Sequence, residues 1–513
     1  MKKIRVSIEY KKNRVVVEAV KGKMLKGVLA DAGIDVVYPC GGAGRCGKCT
    51  VKFSYGAPAP NTQDKTFLSD RDLDDGVRLL CRCIPEEDCE VCIGASNLME
   101  ENIVVETLTS SVNVGNYDRY GIAVDIGTTT IAAALVGMSD GCEPQIIDAA
   151  SCVNHQRRVG ADVISRIAYA SDKKKLDELR VTVTNDISEL INELREKASA
   201  DISEIVVTGN TTMLQIFRGL DVEGLGKYPY IAIDNNVYET EMFGTSLITM
   251  PGISAFVGAD IVSGIYYADM INAENKKVLL LDLGTNGEMA FYDGEKLKVT
   301  STAAGPVFEG GTISCGVASV PGAVCHVDIM KGSDVTFFSK VETIGDKDPI
   351  GICGTGIMEA VSELVRVGAA DKSGLLRDEF FDTGFALTDD GRITVTQQDI
   401  RNIQLAKGAV STGLKELTGG CVPDIIYIAG GFGANLDYER IRSIKLFPTE
   451  FPGGAECIGN SALKGAVKVL SKILSGRKEE ALSEINMIKE SATEVVLANL
   501  DDFDEEFVEA MNF

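Results

Sequence analysis

Three cysteines crowded among four glycines, CGGAGRCGKC at residues 40–49, restrict this chain more than any other stretch. Cys40, Cys46 and Cys49 follow C-x5-C-x2-C, and Cys81 stands 32 residues further on in RLLCRC. Three close thiolates and one remote are what a [2Fe–2S] centre takes, whereas zinc ribbons draw on two C-x2-C knuckles. The interleaved glycines let backbone N–H groups approach sulfur and permit the positive φ angles of a tight wrapping loop. Gly42, Gly44 and Gly47 also satisfy G-x-G-x-x-G, but that fingerprint must follow a strand and open a helix. Here cysteines interrupt it and Pro39 precedes it, so the dinucleotide reading is rejected.

The sequence on either side suits a small sheet. KIRVSIEY and NRVVVEAV alternate apolar and polar residues around a polar KKN turn, as a hairpin does, and residues 22–32 read as a short helix ended by Gly33. Cys89 and Cys92 have the spacing of a metal knuckle. Residues 89–94 nevertheless read as a closing strand, on which positions three apart face opposite sides.

The whole chain has 513 residues and 14 cysteines but only two histidines, His155 and His326. So few histidines disfavour His-rich zinc sites and Ser-His-Asp or Cys-His relays. A net charge of −24 argues against a nucleic-acid partner, and no run of 18 apolar residues suggests a membrane span. A cytoplasmic location follows as the expectation, and there the cysteines serve metal, redox chemistry or burial rather than disulfides. The length calls for several domains.

Beyond a polar stretch over 95–119, read as a linker, the chemistry changes. GIAVDIGTTTIAAALV at 121–136 and VLLLDLGTNGEMAFY at 278–292 each read as strand, acidic turn, strand. Such a turn presents N–H groups and hydroxyls to a phosphate, and its aspartate can hold Mg²⁺ directly or through water. Two copies suggest two related halves facing one cleft. VGADVISRI at 159–167 and VGADIVSGI at 257–265 echo one another out of step with that pair; they read as two helix starts with Asp162 and Asp260 in the first turn. YIAGGFGAN at 427–435 follows a short strand and leads toward a helix, and no Walker-type or protein-kinase motif occurs. The stretch 397–416, with Ile400, Ile403, Ala406, Val410 and Leu414 at helical spacing, reads as a core-packing helix.

Residues 1 to about 94 resemble the β-grasp [2Fe–2S] ferredoxins, with an adrenodoxin-like loop, and the resemblance implies Cys40, Cys46, Cys49 and Cys81 as ligands. The acidic turns resemble the sugar kinase, Hsp70 and actin superfamily with its ribonuclease-H-like halves. By motif position Asp125, Gly127, Thr128 and Thr129 match its first phosphate site, Asp282, Gly284, Thr285 and Asn286 its second, and Gly430 and Gly431 its adenosine site. The union of both parts, with GNTTM at 209–213, AAGPVFEGG at 303–311, GICGTGIMEA at 351–360 and IGNSALKGA at 458–466, resembles the reductive activators of corrinoid proteins. His155 where proline is expected and Gln215 where histidine often stands are the departures.

The fold implied is an α+β β-grasp ferredoxin domain (1–94), the linker, and an α/β two-lobed ribonuclease-H-like ATPase region divided into 120–205 and 206–513. The function implied is ATP-dependent transfer of a low-potential electron from the cluster to the Co(II) corrinoid of a methyltransferase system, with Asp125 and Asp282 as catalytic residues. The implied requirements are one [2Fe–2S] cluster, ATP with Mg²⁺, a corrinoid protein partner, an upstream electron donor and a homodimer. Two alternatives stay open. One is an activator of a radical dehydratase or aromatic-ring reductase, with a shared cluster held by cysteines such as Cys315, Cys325, Cys353, Cys421 or Cys457. The other is a non-enzymatic electron-transfer or sensor protein with inactive ATPase turns.

Overall fold

The computed structural model describes residues 2–10, 13–34, 36–38, 40–94, 117–198, 201–332, 336–430, 437–499 and 503–513. The expected linker lies mostly outside them; its last residue, Arg119, already belongs to a strand. The chain divides into two compact units, Met1–Glu101 with Val153–Asp186 and Ile216–Pro229, and Asn102–Cys152 with Ile187–Gln215 and Tyr230–Phe513.

In the first unit, β1 (Lys3–Tyr10) and β2 (Asn13–Val20) form the expected antiparallel hairpin, and α1 spans Leu25–Asp31. β3 (Thr50–Tyr55), α2 (Thr62–Phe67), α3 (Asp70–Asp74), β4 (Val77–Leu79) and β5 (Cys89–Ile93) complete a sheet of order β2-β1-β5-β3-β4, with β5 parallel to β1. Alternation sends Ile4, Val6 and Ile8 inward onto Leu25, Leu29, Phe53 and Val91. Each such side chain fully buried contributes about 1.5–3 kcal/mol. Buried Asp64 accepts from the Leu79 N–H at 2.8 Å, and the Leu80 N–H donates to the Cys49 carbonyl at 2.7 Å. These bonds fix the return of the chain that carries Cys81.

The same unit includes α4 (Val163–Tyr169), whose N-cap is Asp162, accepting from the Ser165 N–H at 2.6 Å. The carboxylate thus sits one position ahead of the expected first turn. Buried Arg166 binds the Gly160 carbonyl and the Gln156 side chain, each at 3.0 Å, and His155 pairs with Asp186 at 2.7 Å.

The second unit contains two sheets of matching design. β6 (Arg119–Ile126), β7 (Thr130–Met138) and β8 (Gln145–Val153) form an antiparallel meander. β9 (Ile202–Gly209) runs parallel to β6, and β10 (Tyr238–Met242) and β11 (Thr245–Thr249) extend that edge. The second sheet repeats the plan with β12 (Val278–Leu283), β13 (Gly287–Tyr292) and β14 (Leu297–Thr302). A small sheet follows, β15 (Ala323–Lys331), β16 (Phe337–Thr343) and β17 (Gly351–Ile352), then the pair β18 (Phe385–Ala386) and β19 (Thr394–Val395). β20 (Ile425–Ala429) and β21 (Glu456–Gly459) then add in parallel beside β12, and β22 (Ala492–Glu494) beside β14. The orders β8-β7-β6-β9-β11 and β14-β13-β12-β20-β21 coincide, so the two related halves are present.

Helices join these sheets. After α5 (Lys173–Ala198) and α6 (Thr211–Arg218), α7 (Ala259–Tyr267) touches β9 as well as β12 and β13. α8 (Gly354–Val367) covers β15, and α9 (Asp378–Phe381) precedes α10 (Gln397–Thr418). In α10, Ile400, Ile403, Ala406, Val410 and Leu414 are all buried, as their spacing predicts. α11 (Tyr438–Ser443) leads to α12 (Ser461–Leu474), which lies on β6, β9 and α7. A Cβ on Gly465 would fall 2.1 Å from the Ser263 carbonyl oxygen, so only glycine lets α12 and α7 meet this closely.

Candidate functional site

In the cysteine loop, Gly41, Gly42, Gly44 and Gly47 all have φ between +62° and +75°. At Gly47 a side chain is excluded by space as well, because a Cβ would fall 2.8 Å from that of Phe67. Cys40, Cys49 and Cys81 are buried and Cys46 half-buried. Their thiols interact as two pairs, Cys40 with Cys46 and Cys49 with Cys81. Burial opposes a charge on Cys40, but N–H groups of Arg45, Gly44 and Ala43 and the Cys46 thiol outweigh it and hold the group below its ordinary value. The Cys49 thiol, then nearby Arg82, the Gly44 N–H and Lys26, bring Cys81 down to about 7 against burial. Cys49 is pushed up by the same Cys81 bond and by burial.

This donor set fits the group that the spacing implies. Two pairs of sulfurs surrounded by N–H donors suit two irons with two thiolates each. Among the described residues, no three His, Cys, Asp or Glu side chains gather at the spacing of one metal ion. Cys89 is buried and Cys92 exposed on β5, opposite faces as expected, and burial, then Asp64, pushes the neighbouring Cys83 up.

The acidic turns belong to the second unit. Asp125 and Asp282 are the penultimate residues of β6 and β12. Asp125 accepts from the Asn460 amide at 2.9 Å, while Asn460 caps α12 through the Leu463 N–H at 2.7 Å. Buried Thr128 receives the Asn210 amide at 3.0 Å, and Asn210 accepts from the Met213 N–H, also at 3.0 Å. A Cβ on Gly127 would lie 2.5 Å from the Thr130 carbonyl oxygen, so the first turn closes on itself. In the second turn the Gly284 N–H donates to the Asn286 carbonyl at 3.0 Å, and the Asn286 amide donates to Glu288 at 3.1 Å. Thr129 and Thr285 donate their hydroxyls to one oxygen of Glu309, at 3.2 and 3.0 Å.

Asp260, in the first turn of α7, joins this group because α7 touches both sheets. Burial raises Asp125 to about 7, the Asn460 amide opposing and Asp260 adding. Asp282 reaches about 8 through burial and then the charges of Asp260, Asp125 and Glu309. Asp260 rises to about 6 and Glu288 well above its ordinary value, burial leading in each. Buried carboxylates gathered in this way are oxygen donors suited to a hard divalent cation; Mg²⁺ keeps much of its water and needs one or two carboxylates beside a phosphate.

Gly430 has φ +93°, and a Cβ there would fall 2.5 Å from the Leu283 carbonyl oxygen and 3.0 Å from the Asp282 carboxylate. It therefore sits against the second turn; Gly431 lies outside the described residues. The sequence assigned no role to Glu309, Glu288, Asn210 or Asn460. Three of these stand inside stretches already singled out, AAGPVFEGG, GNTTM and IGNSALKGA, and Glu288 directly follows DLGTNG. Asp260 was signalled only by the repeated VGAD.

A β-grasp sheet with a paired-thiol loop, followed by twin ribonuclease-H-like halves with acidic turns, defines a ferredoxin-bearing protein of the actin and sugar-kinase class. Comparison narrows this. Residues 8–86 match a 2Fe–2S iron–sulfur cluster binding domain, 120–273 the RACo middle region and 276–513 the C-terminal ASKHA domain of RACo. The corrinoid activation enzyme RamQ of Eubacterium limosum is 33% identical over 76% of this chain and 69% of its own length. A [Co(II) methylated amine-specific corrinoid protein] reductase of Methanosarcina barkeri is 24% identical over 64% and 66%. A solved reductive activator for corrinoid, iron–sulfur protein superposes with a TM-score of 0.67 at 26% identity over 99% of this chain and 98% of that one. The chain belongs to the RACo family of reductive activators.

Proposed function

We propose that this chain is an ATP-hydrolysing reductive activator of a methyltransferase-system corrinoid protein, returning its cobalt from Co(II) to Co(I). The observation that carries the reading is the presence, in one chain, of a paired-thiol loop and of matched aspartate turns whose threonines lean on one carboxylate. Cys40 and Cys46 would hold one iron, Cys49 and Cys81 the other. A bound cluster of this kind supplies one-electron chemistry near about −400 mV. The loop N–H groups stabilise negative charge on the sulfurs, and burial excludes water from Cys49 and Cys81. Asp125, Gly127, Thr128 and Thr129 would contact one part of the nucleotide. Asp282, Gly284, Thr285 and Asn286 would contact another, with Mg²⁺ beside the aspartates and Gly430 and Gly431 near the base. Each 100 mV uphill costs about 2.3 kcal/mol per electron, a demand that one nucleotide can meet over a few hundred millivolts.

The shared-cluster alternative is not favoured. Cys353 is buried with its sulfur on the Val324 carbonyl at 3.2 Å, Cys325 is buried, and Cys315 points to the Arg392 carbonyl at 3.5 Å. A cluster between subunits needs several sulfurs together at a surface. The sensor alternative is disfavoured by two acidic turns complete in every motif residue. We carry the homodimer, the upstream low-potential donor and the cytoplasmic location as parts of the proposal; no helix among the described residues is long and apolar enough to cross a membrane.

The test is anaerobic. The reduced protein is mixed with a Co(II) corrinoid protein, and cobalt absorption is followed with and without Mg-ATP. Reduction dependent on nucleotide is expected, and equal rates without it would sink the coupling. Cys81→Ser should lose cluster absorption and the paramagnetic signal of the reduced state; an unchanged spectrum removes Cys81 from the ligand set.

A further inference from the structure

The two acidic turns come from different sheets, yet both rest on Glu309. This residue ends a short helical turn, Pro306–Glu309, whose Val307 and Phe308 are buried. A Cβ on Gly354 would fall 1.8 Å from the Phe308 carbonyl oxygen, so α8 presses directly on the turn and fixes its place. From this support Oε2 accepts from Thr129 at 3.2 Å and from Thr285 at 3.0 Å, while Oε1 lies 4.0 Å from where a Cβ on Gly284 would stand. One carboxylate oxygen therefore takes the hydroxyl protons of both turns. It does so within the field of Asp282, whose own carboxyl it helps to raise.

We propose that Glu309 sets which phosphate chain this site accepts: it competes with a terminal phosphoryl group for Thr129 and Thr285, so that a nucleoside triphosphate displaces it and a diphosphate leaves it in place. This rests on reading the turns as a nucleotide site. Each threonine has one proton to donate, so a ligand oxygen gains it only when Glu309 gives it up. The two donors come from separate turns, so the replacement must present several oxygens on one centre and reach both hydroxyls. A terminal phosphoryl group does this and carries more negative charge than a carboxylate, so it accepts more strongly. A shorter chain leaves the Glu309 bridge intact and contacts only the backbone and the other side chains of the turns. Glu309 is thus a specificity-determining residue that acts by occupying the two donors.

The experiment uses the full chain with Mg²⁺ and calorimetric dissociation constants for ADP and for a non-hydrolysable ATP analogue. Glu309→Ala is expected to tighten the triphosphate about tenfold and to leave ADP nearly unchanged, the loss of one charged competitor. Glu309→Gln keeps the shape and an acceptor oxygen without the charge, so its ADP-to-triphosphate ratio should fall between those of wild type and Glu309→Ala. In a Thr285→Val background the same substitutions should shift the ratio much less. A ratio unchanged in both variants, or equal shifts for both nucleotides, overturns the proposal. Should Glu309→Ala not fold, the nearly isosteric Glu309→Gln decides by the same ratio. Wild-type protein that bound neither nucleotide would instead remove the nucleotide reading on which the proposal stands, a different and separately visible result.

Discussion

The turns after β6 and β12 occupy equivalent positions in sheets of the same order, but they are furnished differently. The first is rich in donors: Asn460 serves Asp125, and Asn210 serves Thr128. The second is rich in acid: Asp282 lies near Asp260, Asp125 and Glu309, and Glu288 stands opposite it across the strand pair. The first turn also closes tightly on Gly127, whereas the nearest atoms to a Cβ on Gly284 are 4.0 Å away. A repeated backbone has thus been given two jobs. Under the function proposed above, the Asn460 amide holds the first aspartate in place, and the negative charge gathered around the second would make it the stronger site for a cation.

The sharpest way to break this comparison is to remove each carboxylate in turn. Asp282→Asn should lower Mg-ATP-dependent corrinoid reduction by about 10²–10³-fold, the scale of losing a preorganised electrostatic contact. Asp125→Asn should cost less, because its amide neighbour already offsets part of the charge. Both variants should keep full cluster absorption, since the thiol loop belongs to the other compact unit. Equal losses would mean that the two turns share the cation evenly.

The glycines sharpen the same contrast. Gly284 has no positive φ and no crowding, so Gly284→Ala should fold with nearly unchanged stability while weakening nucleotide binding about tenfold through the space a phosphate would enter. Gly127→Ala should destabilise the fold outright, because its Cβ meets backbone at 2.5 Å. Chemical denaturation and nucleotide titration of both variants separate the cases. Gly284→Ala binding nucleotide normally would take that turn away from the phosphates.

The raised carboxyls give a pH dependence with a definite sign. An aspartate whose folded value lies above its ordinary 3.8 binds protons more readily when folded, so stability falls as pH rises across that window. For Asp282 the window runs from about 4 to about 8, and for Asp125 to about 7. In chelator, the melting temperature should drop by roughly a few degrees between pH 5 and pH 8.5. Mg²⁺ should flatten the drop, and Asp282→Asn should remove more of it than Asp125→Asn. A melting curve indifferent to pH in both forms would remove the idea of crowded carboxylates.

How much of this could be read from sequence depended on whether the signal was local. The thiol loop declared itself because three cysteines and four glycines lie within ten residues, and β5 separated Cys89 from Cys92 by simple alternation. Asp125 and Asp282 were legible because each interrupts a hydrophobic strand at a glycine turn. Asp260 left only an echo, since its meaning comes from α7 reaching both sheets. Glu309 was hidden further: its partners are Thr129 and Thr285, and nothing near it in sequence says that two turns will close on it. The expectation for Asp162 failed by one position because an N-cap and a first-turn residue look alike in sequence.

The smallest effects test the donor side. Asn460 has two tasks, capping α12 through the Leu463 N–H and donating to Asp125. Asn460→Ala removes both and should cost about 1–2 kcal/mol, the usual size of a lost cap with a buried partner left behind. Asn460→Asp keeps the cap but places a carboxylate against Asp125, so it should retain helix stability and raise the pH sensitivity of melting. Asn286, in the second turn, caps no helix and meets Glu288 alone among its resolved side-chain partners. Asn286→Ala should therefore change stability by under about 1 kcal/mol. If the two alanine variants proved equally costly by chemical denaturation, the first turn would not be the better braced of the pair, and the division between a donor-held aspartate and an acid-rich one would fail at its weaker end.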